Sequence, residues 1–191
     1  IPTKTLIQTA QVLRTARDAA RFAVTGIEPA DLGVDMAKLQ ARKGQVVRQL
    51  TGGVGSLLKK NGVTVLKGTA VFSDRNTVVV EGTAVTSDYF ILATGSRSFT
   101  PRAISVEEDA RVMTSTEALD LDRIPGQIAI VGGGVIGIEF AYLFNTLGAA
   151  VHVFEAMDQI LPMLDETLSD MARKELERQG VTVHTGVSVT G

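Results

Sequence analysis

The sequence predicts an α/β protein in two parts: helices followed by a β-meander, and then a segment built on a parallel sheet. Two observations lead to this prediction. Short β-prone runs separated by Gly, Asn and Asp occupy residues 63–86, which is typical of antiparallel strands joined by tight turns. From residue 128 onward, apolar β-branched runs alternate with segments of helical periodicity, which is typical of strand–helix–strand units and a parallel sheet.

Composition limits the class of protein. The 191 residues are 45% hydrophobic and 21% charged, as in ordinary globular domains, and only 5% are aromatic, so the core should be mainly aliphatic. The net charge of −2 gives no argument for nucleic acid or a membrane surface as partner, and no apolar run approaches the roughly 20 residues that span a bilayer. Since the chain has no cysteine, disulfide and thiol chemistry is excluded within these residues.

Two amphipathic helices are predicted at the start of the chain. The first covers residues 3–22, and Pro2 suits its opening turn because the missing N–H costs nothing there. Its apolar stripe consists of Leu6, Ala10, Leu13, Ala16 or Arg17, and Ala20. The second helix covers residues around 35–61, with an apolar stripe of Val46, Val47, Leu50, Val54, Leu57 and Leu58. Arg42 and Lys43 are expected on its solvated face.

A small antiparallel meander is predicted next. Its β-prone runs are residues 63–66, 70–72, 77–80 and 84–86. Residues 89–93 (YFILA) are predicted to form a buried strand that leads into the turn Thr94, Gly95, Ser96. One or two helical turns are expected at residues 115–119. A polar, irregular stretch at 101–109 suggests a boundary near residue 101, giving domains 1–101 and 102–191.

A glycine motif follows the strand predicted at residues 128–131, whose unbroken apolar run is typical of burial on both faces. Gly132, Gly134 and Gly137 fit G-x-G-x-x-G, in which the glycines provide a tight turn, room for a pyrophosphate and close helix packing. Residues 135–147 are predicted to be helical, with Gly148 releasing the helix C-terminus. This order predicts an incomplete Rossmann-type, nucleotide-binding domain.

Glu155 occupies the position at which the dinucleotide-binding motif has an acidic residue. Residues 150–154 form the next predicted strand, and Glu155 follows it a little over 20 residues after the first glycine, the position that binds an adenosine ribose. This acid favours NAD over NADP, because it would repel a 2'-phosphate and residues 156–161 contain no Arg or Lys. A helix at 165–179 and a third strand at 181–184 complete the chain. His152 and His184 are expected to be structural or surface residues, since no ligand-type side chain is suitably spaced.

Three separated stretches resemble the flavin-dependent pyridine nucleotide disulfide oxidoreductases. Ile1-Pro2-Thr3-Lys4 resembles the residues that follow the second redox cysteine in that family, and residues 42–68 (RKGQVVRQLTGGVGSLLKKNGVTVLKG) are similar to its dihydrolipoamide dehydrogenases. Residues 93–97 (ATGSR) resemble its flavin-contacting turn, although Ser98 stands where the family usually has Pro. With the glycine motif, the resemblance covers essentially the whole chain.

The resemblance implies an enzyme that passes electrons from dihydrolipoamide through a cysteine pair and FAD to NAD. The residues implied to contact FAD are Lys4, Ala70, Thr94, Gly95 and Ser96, and those implied to contact NAD are Gly132, Gly134, Val135, Ile136, Gly137, Glu139, Glu155 and Val187. Residues 1–101 would be part of the FAD-binding domain and 102–191 part of the NAD-binding domain. Lys4 and Glu139 are expected to meet as an ion pair where the two cofactors exchange a hydride, and burial would make that pair consequential.

The same resemblance implies that parts of the enzyme lie elsewhere. The redox cysteines would come directly before Ile1, so no catalytic residue is expected within this stretch. We expect a fragment, without activity by itself, because the chain lacks an initial Met and ends after only a third predicted strand. The intact enzyme is expected to be a cytoplasmic or mitochondrial-matrix homodimer, acting on dihydrolipoamide carried by a lipoylated acyltransferase, with no membrane or nucleic-acid partner and no metal.

Two other functions remain open. One is a flavoprotein of the same family with a different disulfide or a quinone-type acceptor, which the cysteines upstream of Ile1 would distinguish. The other is a non-catalytic module that binds NAD, which the absence of every thiol suggests. An upstream G-x-G-x-x-G and Cys-x4-Cys in the gene would favour the enzyme.

Overall fold

The computed structural model describes residues 1–100, 104 and 111–190. Two compact units are present: Ile1–Val47 with Ser98–Gly191 form the first, and Arg48–Arg97 form the second. The proposed domain boundary at residue 101, and most of the polar stretch 101–109, lie outside the described residues. Among the helices that the structure describes, none combines the length and the apolar character needed to cross a bilayer.

Both predicted N-terminal helices form. Helix α1 spans Pro2–Arg17 and helix α2 spans Met36–Lys60. Leu6, Ala10 and Leu13 are buried as the periodicity predicts. The continuation of the stripe to Ala20 is wrong, because the α-helix ends at Arg17 and a short 3-10 turn, Ala19–Phe22, buries Ala19 and leaves Ala20 exposed.

Lys43 on α2 corrects a second prediction, that it lies on a solvated face. Its residue exposure is only 8%. The Nζ donates to the carbonyl oxygen of Leu119 at 2.8 Å and forms an ion pair with Asp120. Gln40, one turn earlier, donates to the carbonyls of Leu119 and Leu121. The buried ammonium is therefore satisfied by partners more than 70 residues away in sequence, which periodicity cannot reveal.

The second unit contains the predicted meander. Strands β1 (Ala70–Asp74), β2 (Thr77–Val80) and β3 (Thr83–Thr86) form an antiparallel sheet in the order β1-β2-β3. The β2–β3 turn places Glu81 at φ 45° and Gly82 at φ 80°. Positive φ at both central residues is the requirement of the tight turn that matches strand twist.

Two strands predicted around the meander do not form. Residues 63–66 and 89–93 have no strand assignment, and their side chains remain largely exposed, with Val65 at 59% and Ile91 at 94%. A run of β-branched and apolar residues becomes a strand only when a neighbour supplies ladder partners and covers a face. Within the described residues of this unit, neither segment pairs with a strand, although the ring of Phe90 contacts that of Phe72.

The parallel sheet follows the predicted order of elements. Strands β4 (Gln127–Val131), β5 (Ala150–Phe154) and β6 (Thr182–His184) pair in parallel in the order β4-β5-β6. Helices α3 (Ser115–Ala118), α4 (Val135–Thr146) and α5 (Glu166–Arg178) precede or connect these strands. Gly148 at φ 107° and Gly180 at φ 96° follow the two connecting helices, as predicted.

The core of the first unit lies where α4 packs against the sheet and α1 packs against α4. Phe140 and Phe144 of α4 are buried with stacked rings 5.7 Å apart, and Val151 and Val153 of β5 are 1% and 0% exposed. Strand β4 corrects the expectation of burial on both faces. Ile128 and Ile130 pack against the core, but Gln127, Ala129 and Val131 are exposed, because no described element covers that face.

Candidate nucleotide-binding site

The glycine loop connects β4 to α4. Gly132 has φ 110°, a value that side chains strongly disfavour, and its N–H donates to the carbonyl of Phe154 at 2.8 Å. A Cβ on Gly137 would lie 1.9 Å from the carbonyl oxygen of Gly132. The first and third motif glycines are therefore required by backbone conformation and by close packing respectively, the roles that the motif assigns to them.

Gly134, the second glycine of the motif, faces open space. Gly134 is the N-cap of α4, and a Cβ there would meet nothing within 4 Å. Val135 and Ile136, 51% and 61% exposed, form the first turn, where the amide groups have no partner within the helix. These amides and the positive end of the helix dipole suit an anionic diphosphate. The residues present therefore fit the pyrophosphate of a dinucleotide.

Glu155 lies at the carboxyl end of β5, beside the glycine loop. Its Oε2 accepts a hydrogen bond from the N–H of Gly133 at 2.7 Å, and its Oε1 accepts one from the N–H of Met157 at 2.8 Å. The residue is 9% exposed. A carboxylate has about four lone-pair sites, so each oxygen retains acceptor capacity for a sugar hydroxyl.

Val187 lies next to Glu155 in the structure. Its N–H donates to the backbone carbonyl of Glu155 at 3.0 Å, and the neighbouring Gly186 N–H donates to the carbonyl of Met157 at 2.8 Å. Val187 is 40% exposed. The structure thus brings together an acid, an apolar side chain and the glycine loop, which are separated by up to 55 residues in sequence.

Gly133 was absent from the predicted site residues, although it lies between two glycines that were included. It is buried, its N–H donates to Glu155, and its carbonyl accepts from the N–H of Leu161 at 2.8 Å. A Cβ at this position would lie 2.9 Å from Cγ2 of Ile160. The available signal was that Gly133 is the middle one of three consecutive glycines, at a position that G-x-G-x-x-G leaves unspecified.

Lys4 and Glu139 meet as the resemblance led us to expect. Lys4 Nζ forms an ion pair with Glu139 Oε1, joining the first turn of α1 to the second turn of α4 within the first unit. The pair is not buried, since the side chains are 67% and 26% exposed. Solvent screening then limits the pair to about 0–1 kcal/mol of stability.

The other residues that the resemblance assigns to FAD lie in the second unit. Ala70 begins β1, and Thr94, Gly95 and Ser96 follow the segment that contains Phe90. The rings of Phe72 and Phe90 make an edge-to-face contact at 5.0 Å, which places that segment beside β1. Gly95 has φ 77°, so the turn uses the backbone freedom of glycine.

His152 and His184 lie on the sheet face opposite α4. Their rings stack with Phe154, at centroid distances of 6.4 Å for His152–Phe154 and 4.7 Å for Phe154–His184. Both histidines are half-buried. The register of β5 and β6, which pairs Phe154 with His184, explains the stack and gives these histidines a packing role.

Comparison with known proteins identifies the family. The sequence pattern of the family described as "Pyridine nucleotide-disulphide oxidoreductase" matches residues 1–191. The chain belongs to this family of oxidoreductases. The α/β architecture predicted from the sequence is thereby confirmed, with its antiparallel and parallel sheets.

Curated relatives of this oxidoreductase chain carry one recurring name. The chain is 41% identical over 192 residues to the "Dihydrolipoyl dehydrogenase" of Acholeplasma laidlawii, and the match covers 99% of this chain and 56% of that protein. It is 40% identical over 191 residues to the enzyme of that name from Bacillus subtilis, covering 97% of this chain and 41% of that protein. The chain therefore spans about half the length of these relatives.

A solved structure shares the fold. The flavoprotein disulfide reductase RclA of Escherichia coli, described as HOCl-induced and solved as a Cu(II) complex, superposes with a TM-score of 0.78 at 28% sequence identity. The match covers 100% of this chain and 39% of RclA.

Proposed function

We propose that this chain is part of a dihydrolipoyl dehydrogenase that oxidises dihydrolipoamide through a redox disulfide and FAD and delivers the hydride to NAD. One observation carries the nucleotide part of the proposal: Glu155 lies beside the glycine loop, bound to it through Gly133 N–H at 2.7 Å. The names of the relatives at 41% and 40% identity support the dihydrolipoamide part.

The NAD side of the proposal follows from the first unit. The amides of Val135, Ile136 and Gly137 at the start of α4 hold the pyrophosphate, with Gly132 and Gly134 leaving the backbone accessible. Glu155 accepts the adenosine ribose hydroxyls, and its charge disfavours the 2'-phosphate of NADP. Val187 provides apolar contact for the adenine. Glu139, on the second turn of α4, faces the nicotinamide end.

The FAD side of the proposal rests on the family resemblance. Lys4, which pairs with Glu139, would lie beside the flavin, and Ala70 would contact the FAD adenosine through its backbone. Thr94, Gly95 and Ser96 form the flavin-contacting turn. The FAD-binding part would comprise residues 1–101 and the NAD-binding part residues 102–191. When bound, FAD and NAD supply the hydride-transfer chemistry, whereas these residues bind the cofactors, orient them and set the local charge.

The intact enzyme would act as a homodimer on dihydrolipoamide attached to a lipoylated acyltransferase, in the cytoplasm or mitochondrial matrix. A second candidate is a family member with a different disulfide or quinone-type acceptor. The similarity to RclA, at a TM-score of 0.78, favours keeping that candidate.

The two candidates differ in their electron donor. We expect the full-length protein to reduce NAD with dihydrolipoamide and to reduce NADP at least tenfold less efficiently. An assay of kcat/KM for dihydrolipoamide, with NAD or NADP as acceptor, checks this. No activity with dihydrolipoamide, combined with reduction of another disulfide or a quinone by NADH, would establish the second candidate instead.

A further inference from the structure

Leu161 has an unusual backbone conformation beside the glycine loop. Among the described residues, three that are not glycine have positive φ: Ala23 at 59°, Glu81 at 45° and Leu161 at 48°. Ala23 and Glu81 are not buried and belong to short turns, where such values are common. Leu161 is a large apolar residue that is 9% exposed. A bulky side chain strongly disfavours the left-handed region, so the surrounding structure must impose it.

The N–H of Leu161 is bonded to the glycine loop, and the loop is bonded in turn to Glu155. Its N–H donates to the carbonyl of Gly133 at 2.8 Å. The N–H of the same Gly133 donates to Glu155 Oε2 at 2.7 Å. Both backbone groups of one loop glycine are therefore bound by the segment that runs from Glu155 to Leu161.

Buried packing holds this segment in place. Ile160 is 0% exposed, and its Cγ2 occupies the space that a Cβ on Gly133 would need. Its carbonyl accepts a hydrogen bond from Ser169 Oγ of α5 at 2.6 Å. The Leu161 side chain belongs to the same hydrophobic core as Phe144. A glycine at 161 would adopt the conformation more easily but would forfeit this packing, so leucine fills the core position in spite of the backbone strain.

We propose that Leu161 is a positioning residue for the dinucleotide site: its left-handed backbone directs its N–H to Gly133 and thereby sets the place of the Glu155 carboxylate. This rests on the proposed function, because it assigns Glu155 to the ribose of NAD. Loss of the Leu161–Gly133 hydrogen bond should release Gly133, and the Glu155 carboxylate would lose the donor that orients Oε2. Discrimination between NAD and NADP should then decrease, in addition to any change in affinity.

The experiment removes that single N–H from the full-length protein. Replacing the amide of residue 161 by an ester, with the α-hydroxy analogue of leucine, keeps the side chain and deletes the donor. We expect the Kd for NAD to rise at least fivefold and the Kd for NADP to change less than twofold. Calorimetric titration of both nucleotides measures the ratio.

Two matched variants separate positioning from general weakening. The ester also weakens the carbonyl of Ile160 as an acceptor, and Ser169→Ala removes the hydrogen bond to that carbonyl alone. Leu161→Asn keeps the N–H and tolerates positive φ, but loses the buried side chain that anchors the segment. We expect both to lower the Tm. Ser169→Ala should leave the NAD to NADP ratio of Kd values within twofold of the unmodified protein, and Leu161→Asn should retain more of that ratio than the ester variant.

A measurement without substitution provides the second test. Hydrogen exchange of the Leu161 amide should slow at least tenfold when NAD binds and less than twofold with nicotinamide mononucleotide, which lacks the adenosine ribose. Unchanged exchange with NAD, or an ester variant that weakens NAD and NADP equally, would overturn the role of Leu161. Failure of the unmodified protein to prefer NAD would contradict the proposed function itself, before position 161 is changed.

Discussion

The two compact units differ in what holds their strands in place. In the first unit, β5 is flanked by β4 and β6 and covered by α4, and Val151 and Val153 are at most 1% exposed. In the second unit, residues 48–97, the meander is formed by tight turns and ladder hydrogen bonds, and no residue is buried. Packing therefore dominates the first unit, whereas local hydrogen bonding and turn chemistry dominate the second.

The largest expected effect comes from removing a buried aromatic ring of the first unit. The matched substitution in the second unit provides the comparison. Phe144→Ala, at a residue 2% exposed, should destabilise the first unit by about 3–5 kcal/mol, because a cavity forms in a packed core. Phe72→Ala, at a residue 47% exposed, should cost about 1 kcal/mol. Free energies of opening from hydrogen exchange on β5 and β2 of the 191-residue chain measure both. Equal losses would contradict the distinction between the units.

The second prediction separates two motif glycines. Gly137→Ala places a Cβ against the carbonyl of Gly132, so we expect both the Tm and the affinity for NAD to fall, the latter at least tenfold. The Cβ of Gly134→Ala would contact no other protein atom, so the Tm should change by less than about 2 °C. NAD binding should nevertheless weaken, because the added methyl group holds the pyrophosphate further from the backbone. Thermal unfolding and NAD titration compare the two variants. A Gly134→Ala variant with unchanged NAD affinity would remove Gly134 from the site.

The accuracy of the sequence predictions depends on whether the signal for a feature is local in the sequence. Helix α4, β5 and the glycine loop were predictable because periodicity, glycine spacing and the acid agree over a short stretch. Residues 89–93 were mispredicted because β propensity does not state whether a neighbouring strand is present. The burial of Lys43 depends on a carbonyl more than 70 residues away, and the conformation of Leu161 depends on Gly133. Such contacts leave no local signal in one sequence.

A smaller effect is expected at the β2–β3 turn, where conformation is local. Glu81 adopts φ 45° ahead of Gly82, and Asn tolerates this region better than Glu. Glu81→Asn should stabilise the meander by about 0.5 kcal/mol, even though the hydrogen bond from Thr69 N–H to the Glu81 carboxylate is lost. Hydrogen exchange of β2 and β3 amides reports the change, and that of β5 is the control. Destabilisation of the meander would show that the side-chain bond outweighs the backbone strain.

The smallest effect concerns the ion pair of Lys4 and Glu139. Because Lys4 is 67% exposed, Lys4→Met and Glu139→Gln should be coupled by about 0.2–1 kcal/mol in stability. In the intact enzyme, each single variant should slow flavin reduction by NADH, and the double variant should lose less than the sum of both losses. Stopped-flow absorbance at the flavin band provides the rates. Strictly additive losses would show that the pair has no joint role.

Binding of NAD through Glu155 is the central claim, and Glu155→Gln tests it most directly. Gln keeps the shape of the side chain but removes the charge and one of the two acceptor oxygens that the Gly133 and Met157 amides use. Calorimetric titration of the full-length protein should show NAD affinity reduced about tenfold, since a hydrogen bond to a charged group is worth roughly 1.5–3 kcal/mol, with NADP affinity unchanged or improved. Equal NAD affinity in the two proteins would contradict the assignment of Glu155 to the ribose.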